Sequence, residues 1–316
     1  MIHYARFHKP DAGCLTSRFL YLASYTRILP LTIAEAIYRA AQKLSGCGIT
    51  SARLDAEVLL SHTIERDRAW LITHNTDSLD NEKYRLFEDT IDRRSRREPL
   101  QYIIGRQEFW GLEFTVTRDV LIPRPETELV VETALKIVKR ASRATIVDLC
   151  TGSGCIAVSL AKELGDIRIF AVDTSSQALA VARENAQRHR VSDRIRFIEG
   201  DLYAPLKELD IRGLVDVITA NPPYIRSGDL LMLQPEVRDY EPGVALRAGP
   251  EGTEIQKKII DNTPAFLKKQ GALIMEMGQG QAETLKRIVD EAGAYNKAEI
   301  LKDLAGIDRV IVVRKK

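Results

Sequence analysis

Asn221-Pro222-Pro223-Tyr224 follows the apolar run Leu214-Val215-Asp216-Val217-Ile218-Thr219-Ala220. The Asn221 side-chain oxygen and the Pro222 carbonyl oxygen are both acceptors, and neither proline has an N–H to compete with them. Two acceptors converging at a strand end suit the two hydrogens of a planar NH2 group. Pro223 stiffens the loop, and Tyr224 can pack over a planar substrate and fix its plane. The nitrogens that need such help have delocalised lone pairs, as in the side-chain amide of glutamine or the exocyclic amine of adenine. The chemistry expected is in-line methyl transfer to one of them, with no covalent intermediate and no metal. Most of the gain should come from positioning and from acceptors matched to charge developing on nitrogen. An ordinary β-turn is the plain alternative, because Asn-Pro often opens turns.

A methyl donor site precedes this loop. Asp148-Leu149-Cys150-Thr151-Gly152-Ser153-Gly154 closes one predicted strand and opens a helix. Gly152 and Gly154 let backbone pass close to a ligand where a side chain would clash. Residue 157 is alanine rather than a third glycine, and Asp148 would repel a pyrophosphate. An acid there suits a ligand with an ammonium and a sulfonium, which favours S-adenosyl-L-methionine over a dinucleotide, with S-adenosyl-L-homocysteine as product. Asp173 ends the next strand, where a carboxylate can accept from ribose hydroxyls. Asp201 follows Gly200 and can accept from an adenine amino group while Leu202 packs the ring. The candidate cofactor residues are thus Asp148, Thr151, Gly152, Gly154, Asp173, Asp201, Leu202 and Asn221. No histidine or cysteine is given a catalytic role.

These residues need a scaffold. Predicted strands at 145–149, 167–172, 195–199, 215–220, 272–276 and 309–313 alternate with helices at 155–164, 175–188, 253–269 and 281–292. Such alternation implies an α/β fold with a mostly parallel, doubly wound sheet, and ligands outside the carboxyl ends of its strands. Residues 31–105 read as a small helical bundle. Ile33, Ile37, Ala40, Ala41 and Leu44 form one helix stripe. Ser51 is the expected cap of a second helix with Leu54, Val58 and Leu59 on its inner side. Asp80 is the expected cap of a third, with Tyr84, Phe87 and Ile91. Arg93, Arg94, Arg96 and Arg97 read as a solvated helix end or a contact for an acidic partner. Residues 106–123 read as a β-hairpin linker around Gly111, and 124–316 as the catalytic domain.

Composition adds bounds. The 316 residues are 45% hydrophobic and 28% charged, as in ordinary globular proteins. The formal net charge of +2 provides no global field of the kind a duplex-DNA binder often carries, so a nucleic-acid partner is not expected. No run has the apolar length to span a membrane. Cys14, Cys47, Cys150 and Cys155 fit neither a zinc site nor a disulfide scaffold, and read as reduced thiols in a cytoplasmic monomer. Residues 1–30 carry Arg6, Lys9, Arg18 and Arg27 against Asp11. They lack the sustained apolar core of a secretory signal and read as a surface extension, with an organellar targeting segment as the alternative.

With these residues in hand, the chain resembles the protein-(glutamine-N5) methyltransferase family that acts on peptide chain release factors. The matching stretches are Phe109 to Phe114, Leu121 to Glu128, Asp148 to Ala157, Asn221 to Tyr224, Tyr240-Glu241-Pro242 with Ala245-Leu246, and Asp303 to Arg309. The Asn-Pro-Pro-Tyr loop alone is shared with adenine methyltransferases; its combination with Ile122-Pro123-Arg124-Pro125-Glu126-Thr127-Glu128 is far more specific. The resemblance implies a seven-stranded methyltransferase sheet whose last strand is antiparallel. It implies a helical domain that grips the release factor, and a substrate glutamine in the Gly-Gly-Gln loop of class 1 release factors. Asn221 and Pro222 would hold that amide, Arg124 and Glu126 would shape the site, and Phe109 would help wall the cofactor pocket. Two features depart from the family: Cys150 stands where glycine is common, and residues 1–30 extend beyond the usual start.

Two other readings compete. An adenine-N6 methyltransferase would share loop and cofactor but needs a basic groove or target domain. A non-catalytic partner-binding protein on a degenerate methyltransferase fold is opposed by the intact Gly152, Gly154, Asp173, Asp201 and Asn221.

Overall fold

The computed structural model describes residues 31–138 and 143–316; the readings for residues 1–30 lie outside them. Helix α1 (Ile33–Gly46) starts in a capping box: Glu35 N donates to Thr32 Oγ1 at 3.2 Å, and Thr32 N donates back to Glu35 Oε2 at 3.0 Å. Its buried stripe is Ile33, Ala36, Ala40 and Leu44. Helix α2 (Ala52–Ile64) begins without a side-chain cap from Ser51, contrary to expectation. Its inner face is Ala52, Asp55, Ala56, Leu59 and Leu60, which turns Leu54 outward. A short helix α3 (Arg68–Thr73), capped by Asp67, was not anticipated. Helix α4 (Asn81–Ser95) begins where Asp80 Oδ1 accepts from Glu82 N and Lys83 N, as its sequence suggested, and buries Phe87 and Ile91.

The division between two compact units falls between Asp92 and Arg93, inside α4. The residues just beyond belong to the C-terminal unit through ion pairs. Arg93 and Arg118 both bind Glu98, and Arg94 and Arg97 both reach Glu236, at 3.1 and 2.8 Å. Most of the arginine cluster is therefore turned onto its own chain rather than left as a solvated helix end.

In the C-terminal unit, α5 (Leu100–Ile104) leads into a hairpin of β1 (Arg106–Phe109) and β2 (Leu112–Thr115). Trp110 and Gly111 both have positive φ, as a two-residue turn matched to strand twist requires. Glu128 accepts from Trp110 N at 2.7 Å and fastens that turn to α6 (Glu128–Ile137).

The main sheet holds β3 (Ala144–Leu149), β4 (Ile167–Asp173), β5 (Ile195–Glu199), β6 (Val215–Ala220), β9 (Leu267–Glu276), β10 (Glu299–Lys302) and β11 (Asp308–Arg314). A small separate sheet pairs β7 (Ile225–Arg226) with β8 (Arg247–Gly249). The order of the main sheet is β10-β11-β9-β6-β3-β4-β5. Five strands are parallel, and β11 runs antiparallel to both its neighbours. This is the seven-stranded methyltransferase sheet that the resemblance implied. Alternate residues serve opposite cores: Ile146 and Val217 one face, Val147 and Ile218 the other. Helices on both faces explain why these strands read as near-continuous apolar runs.

Two element boundaries moved. The helix expected at 253–269 is α11 (Glu254–Asn262), and β9 already begins at Leu267. Between them lies a short 3-10 turn, Thr263–Ala265, and Gln270 sits at positive φ where β9 slips register against β6. That irregularity hid the strand's first half behind a Lys-Lys-Gln stretch. The edge strand β10 was missed because it is short and flanked by charge.

Candidate active site

The order of strands reverses between β3 and β6, and the candidate residues cluster at the carboxyl ends of these two and of β4. After β3, Cys150, Gly152 and Gly154 all adopt positive φ, at 57, 54 and 78°. The turn is closed by its own backbone: Thr151 N donates to the Val172 carbonyl at 3.1 Å and Gly154 N to the Thr151 carbonyl at 2.8 Å. Gly154 has a second reason to be glycine: a Cβ there would lie 3.0 Å from Ala182 Cβ on α8 (Ser176–Arg188), which packs against α7 (Cys155–Glu163). Cys150 sits in a conformation that L residues seldom adopt and that glycine would take without strain.

A cavity of about 530 Å³ opens over this turn. Thr151, Gly152, Asp173, Asp201, Leu202, Asn221, Pro223 and Arg124 all line it. Its size is within the usual range for a small-molecule site. Asp173 is bound on both oxygens: Gly152 N donates to Oδ2 at 2.8 Å, and Ser175 N donates to Oδ1 at 3.0 Å. Each oxygen keeps a further lone pair for a ligand hydroxyl. Burial raises its pKa, against the opposing pull of those N–H groups.

Several expected residues lie elsewhere. Asp148 is fully buried beneath the turn, where its carboxylate accepts from Thr151 Oγ1 at 2.6 Å and from Thr219 Oγ1 at 2.7 Å. It supports the turn rather than facing the cavity. Phe109 is buried edge-on against Phe114 in the core and does not wall the pocket. Tyr224 does not stack over the cavity. Its ring lies by Gly278, and its hydroxyl points at Glu276, 3.4 Å away. Gly154, Pro222 and Glu126 stand behind the lining; Pro222 is buried and Glu126 adjoins Thr127. Arg124 is at the cavity wall, and its guanidinium pairs with buried Glu241 at 2.5 Å.

Behind Asn221 runs a buried hydrogen-bond chain that sequence reading missed. Asn221 Nδ2 donates to Thr127 Oγ1 at 3.2 Å, and Thr127 Oγ1 donates to Glu276 Oε2 at 2.6 Å. Gln281 clamps the loop end, its Nε2 donating to the carbonyls of Tyr224 and Gly252 at 3.0 and 2.9 Å. The only signal for Glu276 was an acid ending the apolar run Ala272-Leu273-Ile274-Met275.

Burial pushes two carboxyls up to about 7: Asp148, where nearby Asp173 adds to the effect, and Glu276, where Thr127 and Arg309 oppose it. A carboxyl raised on folding contributes stability that is complete below its unfolded pKa and is lost as pH rises through the folded value. For Asp148 that window runs from 3.8 to about 7. Asp148→Asn removes this titration. The melting temperature of the variant relative to the native protein should therefore move in the variant's favour between about pH 4 and about pH 7, and level off above that. Parallel melting curves across that range would show that the Asp148 carboxyl is not perturbed.

Among the described residues, no helix is long and apolar enough to cross a membrane, and no cluster of three or more His, Cys, Asp or Glu side chains could hold a metal ion.

Comparison with known proteins accords with this geometry. Residues 35–105 match the PrmC N-terminal domain family, and residues 126–233 match the Methyltransferase small domain family. The chain is 40% identical over 263 residues to the release factor glutamine methyltransferase of Thermodesulfovibrio yellowstonii, covering 83% of this chain and 92% of that protein. It is 42% identical over 264 residues to the same enzyme of Geobacter sulfurreducens, covering 84% and 90%. Among solved structures, the hMettl16 catalytic domain in complex with the MAT2A 3'UTR hairpin 6 superposes with a TM-score of 0.53 at 17% identity, over 71% of this chain and 81% of that one. That likeness is one of fold alone. With 40% and 42% identity across 92% and 90% of these two relatives, the chain belongs to the release factor glutamine methyltransferase family of protein-glutamine N-methyltransferases.

Proposed function

We propose that this protein transfers a methyl group from S-adenosyl-L-methionine to the N5 amide nitrogen of the glutamine in the Gly-Gly-Gln loop of class 1 release factors. The modification supports translation termination and takes place in the cytoplasm. The observation that carries this reading is the placement of the Asn-Pro-Pro-Tyr loop just beyond β6, where Asn221 and Pro223 line the same cavity as Thr151, Gly152 and Asp173.

The residues present fit this donor. Asp173 has lone pairs free for ribose hydroxyls, Asp201 and Leu202 line the cavity beyond it, and the turn at Thr151 and Gly152 supplies close backbone. When bound, the donor supplies an electrophilic methyl group on a sulfonium. Asn221 Oδ1 and the Pro222 carbonyl would hold the two amide hydrogens of the glutamine and keep its nitrogen in line with that methyl. These acceptors gain strength as positive charge develops on nitrogen. Arg124, held by Glu241, lines the same cavity and would meet the substrate backbone there. Asp148 acts through Thr151 and Thr219 by holding the turn in shape.

The test is peptide mass spectrometry after incubation with S-adenosyl-L-methionine and a full-length class 1 release factor, beside a parallel sample of unmethylated DNA. Mass gain of one methyl on the Gly-Gly-Gln glutamine is expected. Methylated adenine with an unmodified release factor would move the claim to the nucleic-acid reading.

A further inference from the structure

We infer that Thr127 and Glu276 are a positioning pair that fixes which end of the Asn221 amide faces the substrate. This rests on the reading of Asn221 as the acceptor of the substrate N–H.

The argument is one of hydrogen-bond direction. An asparagine amide presents an acceptor at one end and two donors at the other, and the ends have almost the same shape. Only the acceptor end can hold the hydrogens of a substrate amide. Turned the other way, Asn221 would set donors against donors. Nothing in the loop sequence itself selects between the two.

The chain of partners behind Asn221 does select. Glu276 ends β9 and is 2% exposed. Above about pH 7 Glu276 is ionised, and an ionised carboxylate only accepts. Its Oε2 faces Thr127 Oγ1 at 2.6 Å, so the single hydroxyl proton of Thr127 is committed to it. With that proton spent, Thr127 Oγ1 can only accept. Asn221 must therefore offer its NH2 end, as the 3.2 Å contact from Nδ2 records. Oδ1 is left for the cavity, which Thr127 and Asn221 both line. The other carboxylate oxygen, Oε1, faces the Tyr224 hydroxyl at 3.4 Å, which ties the same acid to the far end of the loop. Thr127 is itself held in place, since its N–H donates to the Arg124 carbonyl at 3.0 Å. This gives Thr127 a part in the reaction that its place at the start of a helix would not suggest.

The test is a double-mutant cycle with a conservative control. Methyl transfer and S-adenosyl-L-methionine binding are measured for native enzyme, Thr127→Val, Thr127→Ser, Glu276→Gln, Asn221→Ala and the double variant Asn221→Ala/Thr127→Val. Thr127→Val should lower kcat about tenfold, the scale of one orienting hydrogen bond, with the cofactor Kd and the release-factor KM little changed. Thr127→Ser keeps the hydroxyl and should restore most of the rate. Glu276→Gln can accept with only one of its two ends and should also lose rate. In the Asn221→Ala background, Thr127→Val should cost nothing further, because its effect passes through Asn221. A fully active Thr127→Val enzyme, or an additive loss in the double variant, would overturn the pairing. So would a serine variant as slow as the valine one, which would point to a packing role. The cycle is run on whichever substrate the native enzyme methylates, so a failure of the glutamine reading appears in the native enzyme and a failure of the pairing only in the variants.

Discussion

Asn221→Ala is expected to slow methyl transfer by about a hundredfold to a thousandfold while leaving the S-adenosyl-L-methionine Kd within about threefold of native. The size follows from what is removed. Asn221 Oδ1 is one of two acceptors proposed to meet the amide hydrogens, and loss of one preorganised group at a site of developing charge has about that effect. The selectivity follows from place. Asn221 follows β6, whereas the contacts assigned to the cofactor sugar and ring come from Asp173 at the end of β4 and from Asp201 and Leu202 just beyond β5. The truncation also leaves the Thr127 hydroxyl without the amide it accepts from, but Thr127 keeps its bond to Glu276, so the local fold should survive. Single-turnover methylation of the release factor together with calorimetric binding of the cofactor separates the two effects. Equal losses in both would mean that Asn221 serves the cofactor rather than the substrate.

How much of this site could be read from the sequence depended on whether a residue's role lies along the chain or across it. Asp173 and Asp201 were legible because an acid ending an apolar run in an alternating strand-helix chain has few places to go except the carboxyl edge of the sheet. Asp148 met the same description and was misplaced. Its strand neighbours Thr219 across the ladder, and the carboxylate turns down to Thr219 and Thr151 instead of up into the cavity. No pattern along one strand reports that choice. Phe109 failed for a similar reason: an aromatic cluster around a hairpin says that something is buried, not which wall it builds. The pair Thr127 and Glu276 lies 149 residues apart in sequence, and their contact exists only because α6 and the turn before it pack beside β9. The α1 stripe came through largely because burial repeats with the helical period, and the central strands because they are apolar almost throughout. Lys269, Gln270 and Gly271 broke the apolar run at the start of β9, and there the reading failed.

Asp173→Ala should act on the other half of the reaction, weakening S-adenosyl-L-methionine binding by about a hundredfold. Two contributions add. The first is the loss of the acceptor proposed for the ribose hydroxyls; a hydrogen bond to a charged group contributes about 1.5–3 kcal/mol, and tenfold in Kd is about 1.4 kcal/mol. The second is structural. Gly152 N and Ser175 N both donate to this carboxylate, so its removal releases the glycine turn and the start of α8 together. Asp173→Asn discriminates between them. It retains one acceptor but must turn an NH2 group toward either Gly152 N or Ser175 N, a donor against a donor in a largely buried site. Its Kd should therefore be raised nearly as far as that of the alanine variant. With cofactor at saturating concentration, both variants should recover most of the native kcat, because neither change touches Asn221 or its partners. Titration of cofactor binding by calorimetry, beside methylation rates at rising cofactor concentration, checks both points. An Asp173→Ala enzyme that binds normally but transfers slowly would reverse the assignment, placing this carboxylate in the transfer step and not in the hold on the donor.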